Sequence, residues 1–160
     1  MSHVVVRLGG ERFALPMDAV AEVGRMPLLT RVPASPTWVA GVVNWRGRIL
    51  GVVDVRVLLG LGRAAETASA SGGRSDPREA SSRLVVLTRP PVSVGIIAER
   101  VEGVLTVDAV ELEPPLLTLP GDADALLEGQ ITDSDGPVGV IDAGAVFALR
   151  HRFGAVRLAG

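Results

Sequence analysis

The chain has 160 residues, of which 48% are hydrophobic and 3% aromatic, and its formal net charge is −2. Its sixteen basic residues are scattered along the chain rather than gathered into a stripe, so nucleic acid is not expected as a partner. No apolar run approaches the ~20 residues needed to cross a bilayer, so membrane insertion is not expected either. The apolar residues are mostly Val, Leu and Ala, which favours strands because the branched side chain of Val suits a pleated sheet.

Several residue types that enzymes and cofactor sites use are missing. The chain contains no Cys, which excludes disulfides, thiolate catalysis and sulfur-ligated metals, and no Lys, which excludes a P-loop and a Schiff base. His3 is expected at a frayed terminus, and His151 lies between two Arg residues near the end of the last predicted helix. We therefore predict a protein that is not an enzyme and uses no metal and no cofactor. The first residues show no secretory signal, which favours the cytoplasm.

Short Val, Leu and Ile runs alternate with Gly- and Pro-containing turns, a pattern typical of sandwiches and barrels built from many strands. Ten strands are predicted: 3–9, 11–16, 20–26, 38–44, 47–53, 83–89, 93–99, 101–107, 126–133 and 137–141. Residues 62–83 are rich in Ala, Ser, Gly and charge, which predicts a flexible linker or long loop. We expect 1–61 to form mainly one barrel and 84–160 mainly a second barrel with a C-terminal helix.

An internal repeat relates the two halves of the chain. Gly41 aligns with Gly129 and Asp54 with Asp142, at an offset of 88 positions (129 − 41) that holds without a gap as far as residue 149. Each Asp follows a Val-rich strand and precedes a short helical pattern, as expected of an N-cap whose carboxylate accepts free backbone N–H groups.

A second alignment relates the beginnings of the two halves. It places Val4 beside Val85 and Val20 beside Val101, at an offset of 81 positions (85 − 4). Five strands in each half are too few for a wide barrel but suffice for a small one filled by its own side chains. The repeat therefore predicts an all-β protein of two small five-stranded barrels, with a short helix after each Asp.

Residues 27–62 read PLLTRVPASPTWVAGVVNWRGRILGVVDVRVLLGLG. A Pro-containing basic segment leads to a Gly, an Asn-x-Arg-Gly turn, a strand that closes on Val-Asp and a helix that ends in Leu-Gly. The residues of this pattern are Pro33, Pro36, Gly41, Asn44, Arg46, Gly47, Val53, Asp54, Leu59 and Gly60. The pattern resembles the CheW-like domain family, and the resemblance covers nearly the whole chain except the predicted linker.

This resemblance implies two SH3-like five-stranded barrels packed side by side and a stand-alone adaptor without catalytic activity. Such an adaptor binds the helical signalling tip of a chemoreceptor and the regulatory domain of a CheA-type histidine kinase, in the cytoplasm, recruited to receptor arrays at the inner face of the membrane. The receptor is implied to bind in a groove between the barrels. Carried over by motif match, the groove residues are Met17, Val20, Glu22, Asn44, Arg46 and Val94.

Within this groove Arg46 is expected to make charge-assisted hydrogen bonds, with Glu22 holding its guanidinium, and Gly47 to supply a turn with positive φ. Three alternatives stay open for these residues. Met17, Val20 and Val94 would serve equally well as core residues, Glu22 and Arg46 as a surface ion pair, and Asn44 with Gly47 as a simple hairpin turn.

Three features depart from the family pattern. Gly51 replaces a usual Pro, Trp45 replaces a usual smaller aliphatic residue, and the predicted linker is long. An exposed Trp45 would enlarge or redirect the partner surface, because aromatic residues often anchor interfaces.

Two other functions remain open. One is a CheW-like coupling protein of a motility, pilus or developmental pathway that binds receptor without kinase. The other is a β-barrel that binds a small ligand in the cleft between the barrels.

Overall fold

The computed structural model describes residues 1–61, 82–114 and 125–149. The elements are β1 Ser2–Leu8, β2 Glu11–Pro16, a 3-10 helix Met17–Ala19, β3 Val20–Arg25, β4 Val39–Trp45, β5 Arg48–Val53, α1 Val55–Leu58, β6 Arg83–Arg89, β7 Val92–Ala98, β8 Arg100–Thr106, a 3-10 helix Ala109–Glu111, β9 Leu127–Asp133, β10 Gly136–Ile141 and α2 Ala143–Ala148. All ten predicted strands are confirmed, with ends that agree to within one residue. Gly51 lies inside β5, where it pairs with Val42.

The strands form two five-stranded sheets. Sheet A has the order β8-β1-β2-β10-β9, and sheet B has the order β3-β6-β7-β5-β4. Each sheet therefore contains strands from both halves of the chain, and the expectation that 1–61 and 84–160 form separate barrels is wrong. The physical reason is an exchange of the first two strands of each half, which join the last three strands of the other half. In sheet A, β1 pairs with β8 and β2 with β10; in sheet B, β6 pairs with β3 and β7 with β5.

The internal repeat is confirmed in the register of the strands. In the β1–β2 pair Val4 lies opposite Leu15, and in the β6–β7 pair Val85 lies opposite Ile96, so both partners are displaced by the same 81 positions. The β4–β5 hairpin of sheet B and the β9–β10 hairpin of sheet A correspond in the same way at the offset of 88. Replacing each strand of sheet A by its repeat equivalent reproduces the order of sheet B.

The aligned residues Gly41 and Gly129 are glycine for the same structural reason. An isolated bridge from Thr30 pairs with β4, and an isolated bridge from Glu113 pairs with β9. A Cβ at Gly41 would overlap the carbonyl of Thr30, and a Cβ at Gly129 would lie 2.8 Å from the carbonyl oxygen of Glu113. Both positions therefore need Gly so that a second backbone can approach, and Gly41 also has a φ of +148°.

The hydrophobic core has a central part and two smaller parts. The central cluster joins both sheets and both helices, with Leu15 from sheet A, Ile96 from sheet B and Val146 from α2 among its members. One smaller cluster lies inside sheet B around Val52, and the other lies inside sheet A around Val140.

The structure corrects two sequence predictions, the place of His3 and the end of the linker. His3 is not at a frayed end: it lies within β1 and is buried, and its Nδ1 is 3.2 Å from the carbonyl of Met1. The predicted linker ends too late, because Ser82 is buried, accepts a hydrogen bond from the Met26 amide, and precedes β6. Residues 62–81 of that linker and His151 lie outside the described residues.

Candidate protein-binding surface

The β4–β5 hairpin turns through two residues with positive φ, Arg46 at +53° and Gly47 at +80°. Trp45 and Arg48 form the last strand pair before this turn, which has the two-residue, positive-φ form that matches the twist of a hairpin. The side-chain oxygen of Asn44 accepts a hydrogen bond from the Gly47 amide at 2.9 Å. The predicted Asn-x-Arg-Gly turn is therefore present, and it leaves the Arg46 side chain 74% exposed at its tip.

Strand β3 supplies the acidic partner of this tip. The Glu22 carboxylate accepts a hydrogen bond from Arg46 Nη2 through one oxygen. Its other oxygen accepts a hydrogen bond from the indole Nε1 of Trp45 at 3.0 Å. Three residues of the predicted surface, Glu22, Asn44 and Arg46, are thus brought together by one hairpin and one edge strand.

Trp45 lies across β3 rather than pointing freely into solvent. Its ring rests on Gly24, where a Cβ would come within 2.6 Å of the indole Cη2. The ring is half-buried and packs against the cluster inside sheet B. The Cζ atom of Arg46 lies 6.0 Å from the ring centroid, at the outer limit of a cation–π contact.

The other predicted receptor-binding residues divide by exposure. Met17 is 38% exposed on the 3-10 helix, and Val20 is half-buried at the start of β3, where it packs against the central cluster. Val94 is 4% exposed and belongs to that cluster, so its predicted place on the surface is wrong. The reason is the position of β7 between two other strands, with the Val94 side chain on the face that joins the sheets.

The corresponding end of sheet A carries a group of ion pairs that the sequence interpretation missed; we call it the sheet A ion network. Arg12 holds Asp133 through two hydrogen bonds of 2.7 Å and lies 3.7 Å from Glu102. Glu102 also binds Arg7 at 2.6 Å and Arg100 at 2.9 Å. The opposed pairing of Arg7 with Arg12 in β1 and β2 is the sequence signal that would have brought two cations to one place.

The hydrogen bonds in this network shift the acidities of its members. The bond from Arg12 lowers the pKa of Asp133 to about 2, and the bond from Arg7 lowers the pKa of Glu102. In return, the bond to Asp133 raises the pKa of Arg12.

A groove of about 470 Å³ runs beside the network. Its carboxylates at Glu102 and Asp133 are already bound by Arg residues, so this end of sheet A is internally neutralised.

The two repeat-related Asp residues both cap helices, but their surroundings differ. Asp54 accepts a bond from the Arg56 amide and binds the Arg56 guanidinium through both oxygens, at 2.9 and 3.0 Å, with both side chains buried. Asp142 is half-buried and accepts a bond of 3.3 Å from the Ala145 amide. Both short helices that were predicted after a strand ending in Asp are therefore present and capped as expected.

Within the three described ranges, no group of His, Asp and Glu side chains is arranged to hold a metal ion. A search of the same residues found no helix that is both long enough and apolar enough to cross a membrane.

Comparison with known proteins places this geometry in a family. The CheW-like domain matches residues 2–151 of the chain. The protein PilI of Pseudomonas aeruginosa is 34% identical over 102 residues, which cover 64% of this chain and 51% of PilI, so the chain spans about half the length of that relative. The chemotaxis protein CheW of Bacillus subtilis is 25% identical over 143 residues, covering 89% of this chain and 84% of the relative. The protein FrzA of Myxococcus xanthus is 34% identical over 119 residues, covering 74% and 66%.

A solved structure agrees with these matches. The crystal structure of the scaffolding protein TtCheW from Thermoanaerobacter tengcongensis superimposes with a TM-score of 0.69 at 26% identity, over 88% of this chain and 83% of TtCheW. With the two five-stranded sheets, this likeness confirms the predicted all-β fold of paired SH3-like barrels. The chain belongs to the CheW-like domain family.

Proposed function

We propose that this protein is a non-catalytic cytoplasmic adaptor that couples the signalling tip of chemoreceptors to the regulatory domain of a CheA-type histidine kinase in a sensory array. Family membership supports an adaptor, because the similar solved structure is a scaffolding protein and several relatives are chemotaxis proteins named CheW. The function is binding, so its chemistry lies in the surface that the chain presents.

The receptor-binding surface is proposed to comprise Met17, Val20, Glu22, Asn44 and Arg46. The observation that carries this proposal is an Arg side chain that is 74% exposed, with its backbone in a tight hairpin turn and its guanidinium bound by Glu22. An ion pair so exposed contributes about 0–1 kcal/mol to folding, so its stabilising value is small. A pre-positioned guanidinium instead donates charge-assisted hydrogen bonds to a partner's carboxylates or carbonyls, while Met17 adds apolar area.

The proposal is tested by measuring binding to two purified partners from the same genome: a soluble fragment with the helical receptor tip, and the kinase regulatory domain. Arg46→Ala is expected to weaken receptor binding roughly 10- to 100-fold, the value of a hydrogen bond to a charged group. Arg100→Ala is the matched control, since Arg100 is 66% exposed and ion-paired on sheet A. We expect this control to bind receptor as the unmodified protein does.

Each outcome of the measurement has a defined meaning. Equal losses in Arg46→Ala and Arg100→Ala would show a general charge effect and remove Arg46 from the site. Binding of the unmodified protein to neither partner would overturn the adaptor function.

A second candidate is a coupling protein of a motility, pilus or developmental pathway that binds receptor without kinase. The relatives PilI and FrzA, each 34% identical, favour this candidate. Receptor binding without binding to the kinase domain would support it. The third alternative, a small-ligand protein, gains little support, because Glu102 and Asp133 at the groove of about 470 Å³ are already bound by Arg side chains.

A further inference from the structure

The Glu22 carboxylate serves two donors at once. One oxygen accepts from the Arg46 guanidinium, and the other accepts from Trp45 Nε1 at 3.0 Å. A carboxylate held through one oxygen rotates about its terminal torsion, which is a broad and soft one. A second hydrogen bond from a rigid, half-buried ring restricts that rotation and so restricts the direction in which the first oxygen faces Arg46.

The ring is itself fixed by the strand beneath it. It occupies the space above Gly24, where any side chain would meet the indole Cη2. It also packs against the cluster inside sheet B, which limits its rotation. An aliphatic side chain at position 45 would fill part of this space but would have no N–H group to donate to Glu22.

We propose that Trp45 is a positioning residue of the receptor-binding surface: seated on Gly24, it orients Glu22, and Glu22 orients Arg46 toward the partner. This inference rests on the proposed function and deepens it, because it makes an indole N–H group that does not touch the partner a determinant of affinity. The alternative is that Trp45 only covers the interior of sheet B. The two roles differ in what Trp45→Phe does, since Phe keeps a ring over Gly24 but lacks the hydrogen bond.

The first arm of the test uses the free protein. Its ¹H–¹⁵N spectrum contains two indole signals, from Trp38 and Trp45. Removing the acceptor with Glu22→Ala is expected to move the Trp45 indole proton upfield and to speed its exchange with water, while the Trp38 signal stays in place as the internal control. An unchanged Trp45 signal would overturn the proposal at its first step.

The second arm is a double-mutant cycle on binding of the receptor-tip fragment. Trp45→Phe is expected to lower affinity about threefold to tenfold, within the range of coupling between residues in contact, with a melting temperature lowered only slightly because a ring still covers Gly24. In the Trp45→Phe background, Arg46→Ala is expected to cost less affinity than in the unmodified protein. Gly24→Ala, which displaces the ring from below, should reproduce the loss.

The outcomes separate this inference from the function on which it rests. If Arg46→Ala weakens binding but its effect simply adds to that of Trp45→Phe, the positioning role is wrong and the receptor surface stands. If Arg46→Ala has no effect on binding, the receptor surface itself is wrong, and the positioning role falls with it.

Discussion

The β4–β5 and β9–β10 hairpins occupy equivalent places in the repeat, but their charged side chains differ in pairing and exposure. At the end of sheet B, Arg46 stands 74% exposed above a carboxylate that it shares with Trp45. At the end of sheet A, Asp133 is enclosed by Arg12 through two hydrogen bonds. The two ends share one backbone arrangement. Their side chains therefore determine whether the charge at that end is neutralised within the chain or is exposed to a partner.

A single pair of aligned positions produces much of this difference. Trp45 and Asp133 are related by the offset of 88 (133 − 45) and begin the turns of their hairpins. Trp45 covers the end of sheet B and leaves Arg46 outside, whereas Asp133 draws the cation of Arg12 toward itself. The repeat thus preserves strand register while the side chains at its two ends differ.

The largest effect is expected where the two halves differ in burial of charge. Asp54→Ala removes the bidentate partner of the buried Arg56 guanidinium, which keeps Glu99 at 3.9 Å. We therefore expect a loss of about 3 kcal/mol in the free energy of unfolding, the lower end for a broken buried pair. Asp142→Ala is the matched variant in the other half and removes a helix cap, with an expected loss of about 1 kcal/mol. Urea denaturation of both variants measures the difference. Equal losses would mean that Asp54 acts as a cap alone.

A smaller loss of stability is expected when the pH is lowered, because of the Asp133 carboxylate in sheet A. The pKa of Asp133 is about 2 in the folded protein and about 3.9 in an unfolded chain. A lowered pKa stabilises the fold above pH 4, and this contribution is lost as the pH falls from about 4 to about 2. Asp133→Asn should therefore be less stable than the unmodified protein at pH 6, and the gap should shrink toward pH 2. Urea midpoints across this pH range measure the gap, and a gap that stays constant would contradict the assignment.

The strands and the repeat were predictable because their signals are local. Alternating apolar residues and turn residues define each strand, and Asp54 and Asp142 mark their helices by sequence alone. The Asn44–Gly47 turn was predictable for the same reason, since its hydrogen bond closes within four residues.

Features that depend on which strands become neighbours were not predictable in the same way. The exchange of the first two strands between the halves leaves the pattern of strands along the chain unchanged, so the sequence predicted two separate barrels instead. The burial of Val94 follows from the place of β7 in the middle of sheet B. The position of the Trp45 ring depends on Gly24, which lies in another strand, β3. The sheet A ion network depends on the contact of Arg12 with Asp133, which are 121 positions apart in the sequence.

The smallest effect concerns the backbone of the β4–β5 hairpin. Arg46 has a φ of +53°, which is unfavourable for most residues, whereas Asn tolerates it and Asn-Gly is a preferred pair for this turn. Arg46→Asn is therefore expected to relieve about 1 kcal/mol of backbone cost, and loss of the exposed pair with Glu22 offsets about half of it. The free energy of unfolding should rise by roughly 0.5 kcal/mol. Ser134→Asn is the control, because Ser134 holds the equivalent place in the β9–β10 hairpin without a positive φ, and no gain is expected there. Receptor binding should fall in Arg46→Asn as it does in Arg46→Ala, because both remove the cation. Thermal unfolding and binding measured on the same samples would then show that the hairpin keeps Arg at a backbone cost for the sake of its partner, whereas a loss of stability in Arg46→Asn would show that the ion pair outweighs that cost.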